Sequence, residues 1–279
     1  MPGPTALRLA ALLPLGGDLD LRAAVHLTAL LEEAGFAALL LDDDPAGPVL
    51  EPLTLLSALA SVTERIGLVA PLPDEAPYTV ARKLASLDHV SGGRAGWHVP
   101  ADADARTAEL VDVVQALWDA TEDGAMVRDK ASGVYVDPRR RRAIEHSGEH
   151  FRVAGPLTIG PSPQRRPVLF RTGSPRAGAP GDVFVPDDGT AGPPGGAQVW
   201  PLLVPGGGAP EALAERMTAP HATGGVDGFT VALPAEPSAA ERFVTAMLPV
   251  LRDRGVRLPP PPGTLRERLG LSTAPEVPA

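Results

Sequence analysis

The chain has no cysteine among its 279 residues, and it has no apolar run that approaches the roughly 20 residues of a membrane-spanning helix. The missing cysteines exclude disulfide bonds, thiolate metal sites and a cysteine nucleophile. The first segment, MPGPTALRLAALLPLGG, lacks the basic start and the small-residue cleavage pattern of a signal peptide. We therefore expect a cytoplasmic protein that does not act at a membrane.

Basic residues are also in short supply, with 25 Lys and Arg against 34 Asp and Glu and a net charge of −9. A surface of this sign disfavours nucleic acid and anionic membranes as partners. The sequence also contains no Gly-x-Ser-x-Gly nucleophile elbow and no Walker phosphate loop. Hydrolase and nucleotide-hydrolysing functions therefore find no support in it.

What the sequence does contain is a series of short apolar segments of strand length, separated in the first half by helical patterns. Fully apolar strands that alternate with helices indicate an α/β fold with a parallel sheet buried on both faces. The predicted strands are residues 7–13, 36–41, 66–70, 95–99, 167–170, 182–185, 199–204 and 228–233. Strands of this number close most naturally as a (β/α)8 TIM-type barrel. An open doubly wound sheet is the alternative, although the first strand–helix turn lacks its glycine fingerprint.

The helical patterns weaken in the second half, where glycine and proline crowd together. Helices are predicted from Asp20 to Gly35 and at residues 52–63, 76–90, 105–120 and 209–217, with a last one starting at Ser238, which has capping-box spacing to Glu241. The connections 173–181 and 186–197 are too rich in glycine and proline to form helices. We predict one domain over residues 1–279, with a long excursion loop at 121–166, a tail at 260–279, and several second-half helices missing.

Four strings carry a resemblance to a known family. The most specific is LASLDHVSGGRAGWHV at residues 84–99, within a matching stretch that covers 66–100. The segments 130–157, 162–174 and 264–271 agree in order and spacing. Together they resemble the bacterial luciferase-like, flavin-dependent monooxygenases, and most closely the nitrilotriacetate monooxygenase branch. The resemblance implies a (β/α)-barrel that lacks the family's lid insertion.

The resemblance also implies a cofactor and a set of site residues. The expected cofactor is reduced flavin mononucleotide (FMN), supplied by a separate flavin reductase and used with O2 on a small organic substrate. Asp42 would lie near the flavin, and Gly173 with Ser174 would contact the flavin phosphate through a backbone N–H and a hydroxyl. Two positions depart from the family: Pro71 replaces a threonine, and His98 replaces an asparagine.

Other polar clusters have simpler interpretations. His146 and His150 match a His-x-x-Glu-His spacing, but that spacing binds metal on a helix, and Gly148 interrupts it here. We predict no metal site. The arginine run 139–142 lies in an acidic protein, so a solvated face or a contact with a partner is favoured over nucleic acid.

Two functions remain open at this point. The first is a two-component FMN-dependent monooxygenase, for which the shortened segment after His98 leaves no candidate for a catalytic residue. The second is a non-catalytic flavin-binding or partner subunit that has lost the active site and possibly the flavin. The lost lid and Pro71 favour the second function, whereas the Gly173-Ser174 pair favours the first.

The missing helices predict that the chain does not act as a monomer. An uncovered strand would leave apolar surface in water, so we expect a homodimer, or a heterodimer with a full-length homologue, that buries more than about 1,000 Å². Sedimentation equilibrium at micromolar concentration measures this directly. A folded species with the mass of one chain would contradict the prediction and would indicate that the excursion covers the strands.

Overall fold

The structure is a computed structural model that describes residues 7–15, 19–43, 50–173, 181–187, 197–204, 210–222, 225–233, 236–254 and 262–272. The strands are β1 (Arg8–Leu15), β2 (Ala38–Asp43), β3 (Gly67–Pro71), β4 (Ala95–Pro100), β5 (His146–Ser147), β6 (Arg152–Val153), β7 (Val168–Thr172), β8 (Val183–Val185), β9 (Gln198–Val199), β10 (Leu202–Leu203) and β11 (Gly228–Ala232). The helices are α1 (Leu21–Glu33), α2 (Pro52–Ala60), α3 (Pro77–Ser91), α4 (Ala105–Asp119), α5 (Pro210–Ala222), α6 (Pro237–Asp253) and α7 (Leu265–Arg268).

All the predicted strands belong to one curled, parallel sheet. Its order is β10-β11-β1-β2-β3-β4-β7-β8-β9, and every pair in it is parallel. The two ends of this order are neighbours in sequence, because only Trp200 and Pro201 separate β9 from β10. The Trp200 N–H donates to the Phe184 carbonyl of β8 at 2.7 Å, and the Thr230 N–H of β11 donates to the Pro201 carbonyl at 3.0 Å. One segment therefore pairs with both β8 and β11.

The sheet is apolar on both faces, as the sequence predicted. One face carries a compact cluster that includes Leu40, Val69, Phe170 and Trp200, all fully buried. The opposite face packs against the helices. There, Trp97 of β4 meets Trp118 of α4 edge-to-face with ring centroids 5.6 Å apart.

The helix starts follow local chemistry, with one correction. Asp20 caps α1 by accepting the Ala23 N–H at 2.7 Å, as predicted. The predicted capping box at the start of the last long helix is wrong. α6 begins one residue earlier, at Pro237, and the Ser238 hydroxyl donates to the Glu236 carboxylate instead of capping the helix. Proline is well suited to a first helical position because its missing N–H has no partner there anyway.

The expected gap in the wall of the sheet is not found at the described strands. Leu169 of β7 and Phe184 of β8 are 2% and 1% exposed within the single chain, and Val183 is fully buried. Covering these strands therefore does not require a second chain. The dimer stays a prediction, but without the physical reason that the sequence suggested for it.

Helix α7, which lies within the predicted tail at 260–279, closes the amino-terminal end of the sheet. Leu265 and Leu269 are 0% and 1% exposed and belong to the same cluster as the inward-facing strand residues. Gly67, at the start of β3, makes room for this helix: a Cβ there would approach the Leu265 side chain to 2.8 Å. Helix α7 therefore packs into the amino-terminal end of the curled sheet, and we call it the amino-end plug.

Polar contacts fix the amino-end plug in place. Thr264 and Glu267 form a reciprocal capping box. The Arg266 guanidinium donates to both oxygens of Asp182, at 3.0 and 2.8 Å, and to the Arg166 carbonyl. Because Asp182 also accepts the Leu169 N–H at 2.9 Å, the plug is connected to the β7–β8 pair.

The stability of the fold should depend on the packing of the amino-end plug. Leu265→Ala removes a fully buried side chain and leaves a cavity against Gly67, so we expect the free energy of unfolding to fall by about 2–5 kcal/mol. Urea unfolding followed by circular dichroism measures it. Leu21→Ala, at a position that is 47% exposed, is the matched control and should change stability by less than about 0.5 kcal/mol. Equal effects of the two substitutions would contradict the plug.

The excursion at residues 121–166 is bonded to α4 at two carboxylates, Asp119, which accepts from Arg166, and Glu109. Glu109 accepts from the His146 ring Nε2 at 2.8 Å and from the backbone N–H groups of His150 and Phe151 at 2.9 and 3.0 Å. A Cβ at Gly148 would overlap the Glu109 carboxylate, so a larger residue there would displace it. The hydrogen bond from His146, together with those from the backbone, lowers the pKa of Glu109 to about 2.

This lowered pKa predicts acid sensitivity of the excursion. A carboxyl whose folded pKa is about 2 stabilises the fold fully above its ordinary pKa of 4.5 and loses that contribution as the pH falls toward 2. Glu109→Gln should therefore be less stable than the parent at pH 6, and the difference should shrink by pH 3. Urea midpoints measured at both pH values test this. Glu149→Gln, in the exposed turn between β5 and β6, is the control. A difference independent of pH would refute the role of the charge.

Candidate functional site

Four of the five predicted site residues lie at one end of the sheet. Asp42 is near the end of β2, Pro71 ends β3, His98 is near the end of β4, and Gly173 directly follows β7. In a parallel sheet the carboxyl ends of all strands share one edge, where α/β enzymes bind their ligands. The fifth residue, Ser174, lies outside the described residues.

His98 is buried at this edge, with only 6% of its surface exposed. Its ring Nε2 lies 2.7 Å from the carbonyl oxygen of Leu41 on β2. A carbonyl can only accept, so Nε2 carries a proton and donates it. The ring thus connects β4 to β2 across β3, which lies between them.

The environments of Asp42 and Pro71 differ. Asp42 is partly exposed, whereas Pro71 is buried. Pro71 borders a cleft of about 350 Å³ between the start of α2 and the loop after β3, which Glu51, Leu72 and Glu75 also line. No hydroxyl stands at position 71 to bond a ligand at this edge.

Gly173 has the left-handed backbone that favours glycine, with φ at +89°. Its N–H donates to the Val185 carbonyl at 3.0 Å. An anion bound beside Gly173 would therefore need hydrogen bonds from other groups. The space beside it is open. Among the described residues, only the Asp187 carboxylate comes within 4 Å of where a Cβ would lie, at 3.8 Å.

Sequence reasoning missed a buried cation at this edge. Arg171 of β7 is 3% exposed, and its Nη1 lies 3.5 Å from the carbonyl of Pro100, at the end of β4. Burial lowers the pKa of Arg171, and the negative charge of Asp112 partly opposes this effect. The sequence contained one indication of this residue, which is a charged side chain directly after the apolar residues Val168, Leu169 and Phe170 of a predicted strand.

The described residues suit a flavin in part. An open glycine beside a buried arginine fits a phosphate, which needs close backbone approach and positive charge. The Asp187 carboxylate has the opposite effect, because a like charge near Gly173 disfavours an anion.

Comparison with known proteins identifies the family. The model of the luciferase-like monooxygenases matches residues 8–199. This chain belongs to the luciferase-like monooxygenase family. The resemblance that the sequence suggested is thereby confirmed.

Two relatives and one solved structure show how the chain compares within the family. A subunit of pristinamycin IIA synthase from Streptomyces pristinaespiralis is 40% identical over 259 residues, which cover 86% of each chain. Nitrilotriacetate monooxygenase component A from Aminobacter aminovorans is 45% identical over 151 residues, but these span only 33% of its length. The EDTA monooxygenase from Chelativorans sp. BNC1 superposes with a TM-score of 0.79 at 21% identity, covering 98% of this chain and 100% of that one. At that identity, the superposition shows the fold alone.

Metal sites and membrane spans are both absent from the part of the chain that the structure describes. Its residues include no group of three or more His, Asp or Glu side chains arranged to hold a metal ion. None of its helices is long and apolar enough to cross a membrane.

Proposed function

We propose that this chain is the shorter subunit of a two-subunit, flavin-dependent monooxygenase that oxidises a small organic molecule. The observation that carries this is the near full-length similarity to a protein named as a subunit, which contrasts with similarity to only a third of the nitrilotriacetate enzyme. The partner is then a longer homologue of the same family. We also propose that the curled sheet is the family's (β/α)8 barrel, shortened in its second half.

The cofactor proposed is reduced FMN, delivered by a separate flavin reductase, with O2 as the oxidant. When bound, the reduced flavin supplies the electrons that activate O2. In this proposal the open side of Gly173 lets the phosphate approach the backbone, Ser174 donates its hydroxyl, and the buried cation of Arg171, on the strand that Gly173 follows, offsets the phosphate charge. In the same proposal Asp42 and His98, near the ends of β2 and β4, are placed beside the ring system of the flavin.

A second function is supported by specific observations at the same edge. The Asp187 carboxylate stands beside Gly173, and His98 uses its ring N–H on the Leu41 carbonyl. These contacts suit a chain whose partner holds the flavin, so that this chain stabilises the complex without performing chemistry.

Titration with reduced FMN under anaerobic conditions separates the two functions. The catalytic proposal predicts saturable binding by the isolated chain, followed by changes in flavin absorbance. No binding at millimolar flavin, with the fold intact by circular dichroism, would refute it. If the chain nevertheless forms a stable complex with a longer homologue, that result supports the partner function.

Gly173 provides a matched pair of variants for this titration. Gly173→Ala places a side chain on a backbone with φ at +89°, so we expect the dissociation constant of reduced FMN to rise about fivefold or more. Gly133→Ala carries the same kind of backbone strain at φ +72°, in an exposed turn with nothing within 4 Å of its Cβ. That control should leave flavin affinity unchanged. Equal affinity for both variants would remove Gly173 from the phosphate site.

A further inference from the structure

The hydrogen-bond ladder between β2 and β3 has a missing donor at the functional edge. The Gly67 N–H donates to the Ala37 carbonyl at 2.9 Å, and the register pairs Ala38 with Gly67 and Leu40 with Val69. Donors to β2 therefore recur on β3 at every second residue, and position 71 comes next. An N–H at that position would point at the Leu41 carbonyl. Pro71 has no N–H to give.

His98 supplies the donor that the ladder lacks. Pro71 and His98 are register partners on adjacent strands. The ring Nε2 of His98 reaches the Leu41 carbonyl at 2.7 Å, which is a normal distance for a ladder bond. Leu41 is fully buried, and a buried carbonyl without a donor costs a large fraction of a protein's stability.

We infer that His98 is a positioning residue that replaces the backbone donor lost at Pro71 and so holds the end of β2 at the functional edge. The next residue along β2 is Asp42, which the proposed function places near the flavin. The consequence for flavin therefore rests on the proposed function, whereas the link between Pro71 and His98 does not. In this arrangement the ring nitrogen Nε2 of His98 always carries a proton.

A double-substitution cycle tests the replacement directly. His98→Ala leaves the Leu41 carbonyl unpaired, whereas Pro71→Ala restores a backbone N–H that can reach it. We expect His98→Ala to reduce the folding equilibrium constant about tenfold more in the parent than in the Pro71→Ala background. Loss of ring packing is common to both backgrounds and cancels. If His98→Ala does not fold alone, the expected result is that Pro71→Ala/His98→Ala does fold.

The matched control is His89→Ala. His89 is exposed on α3 and contacts the Gly160 carbonyl at 3.2 Å, away from both strands. Its effect on urea unfolding should be the same with proline or alanine at position 71. Equal effects of His98→Ala in the two backgrounds, or a double variant that fails to fold, would overturn the inference.

Two further measurements separate positioning from mere packing. Nitrogen-15 NMR of the labelled histidines should show a proton on the Nε2 of His98, and an Nε2 without a proton would overturn the assignment. Titration with reduced FMN should show weaker binding for His98→Ala and recovery in the double variant. If the parent itself binds no flavin while the stability coupling remains, the proposed function fails and the Pro71–His98 link stands. If the parent binds flavin and the double variant shows no recovery, the positioning role fails.

Discussion

The structure depends on one constraint, which is that a parallel sheet with two apolar faces must keep both of them from water. Helices cover one face where the chain provides them, and the curling of the sheet encloses the other. The segment that contains β9 and β10 makes the curl possible, because its residues bond to β8 on one side and to β11 on the other. The amino-end plug then fills the end of the enclosed space with Leu265 and Leu269. The side chains of β7 and β8 are therefore kept from water with little contribution from helices that follow these strands.

Much of the fold could be predicted from the sequence, because strand length, apolar runs and helix punctuation are local signals. The starts of α1 and α4 follow from Asp20 and Asp104, whose side chains accept backbone N–H groups of the first turn. The plug could not be predicted with the same ease. Its capping box at Thr264 and Glu267 was visible, but four helical residues give no periodicity. Its burial depends on Gly67, nearly two hundred residues earlier in the chain.

The candidate site shows the same division between local and distant information. The positions of Asp42, Pro71, His98 and Gly173 at one edge follow from the strand order, since every parallel strand ends there. What each residue does there follows from neighbours on other strands. Neither the bond from His98 to Leu41 nor the approach of Asp187 to Gly173 has a sequence signature. Pro71 and His98 both depart from the family pattern, and in the inference above the two departures are linked. His98 supplies the hydrogen bond that Pro71 cannot form.

The position of the amino-end plug in the chain has a consequence for synthesis. Its partners at Gly67, Gly93 and Arg166 are made well before Leu265, and the contacts between them span long stretches of sequence. During translation, the strands can pair while the end of their enclosed apolar space is still open to water. We expect the nascent chain to pass through a state with exposed inner side chains until the last helix leaves the ribosome, which is the interval in which chaperones bind such surfaces. We therefore expect the synthesis of α7 to set the time at which the inner side chains of the earlier strands become protected from water.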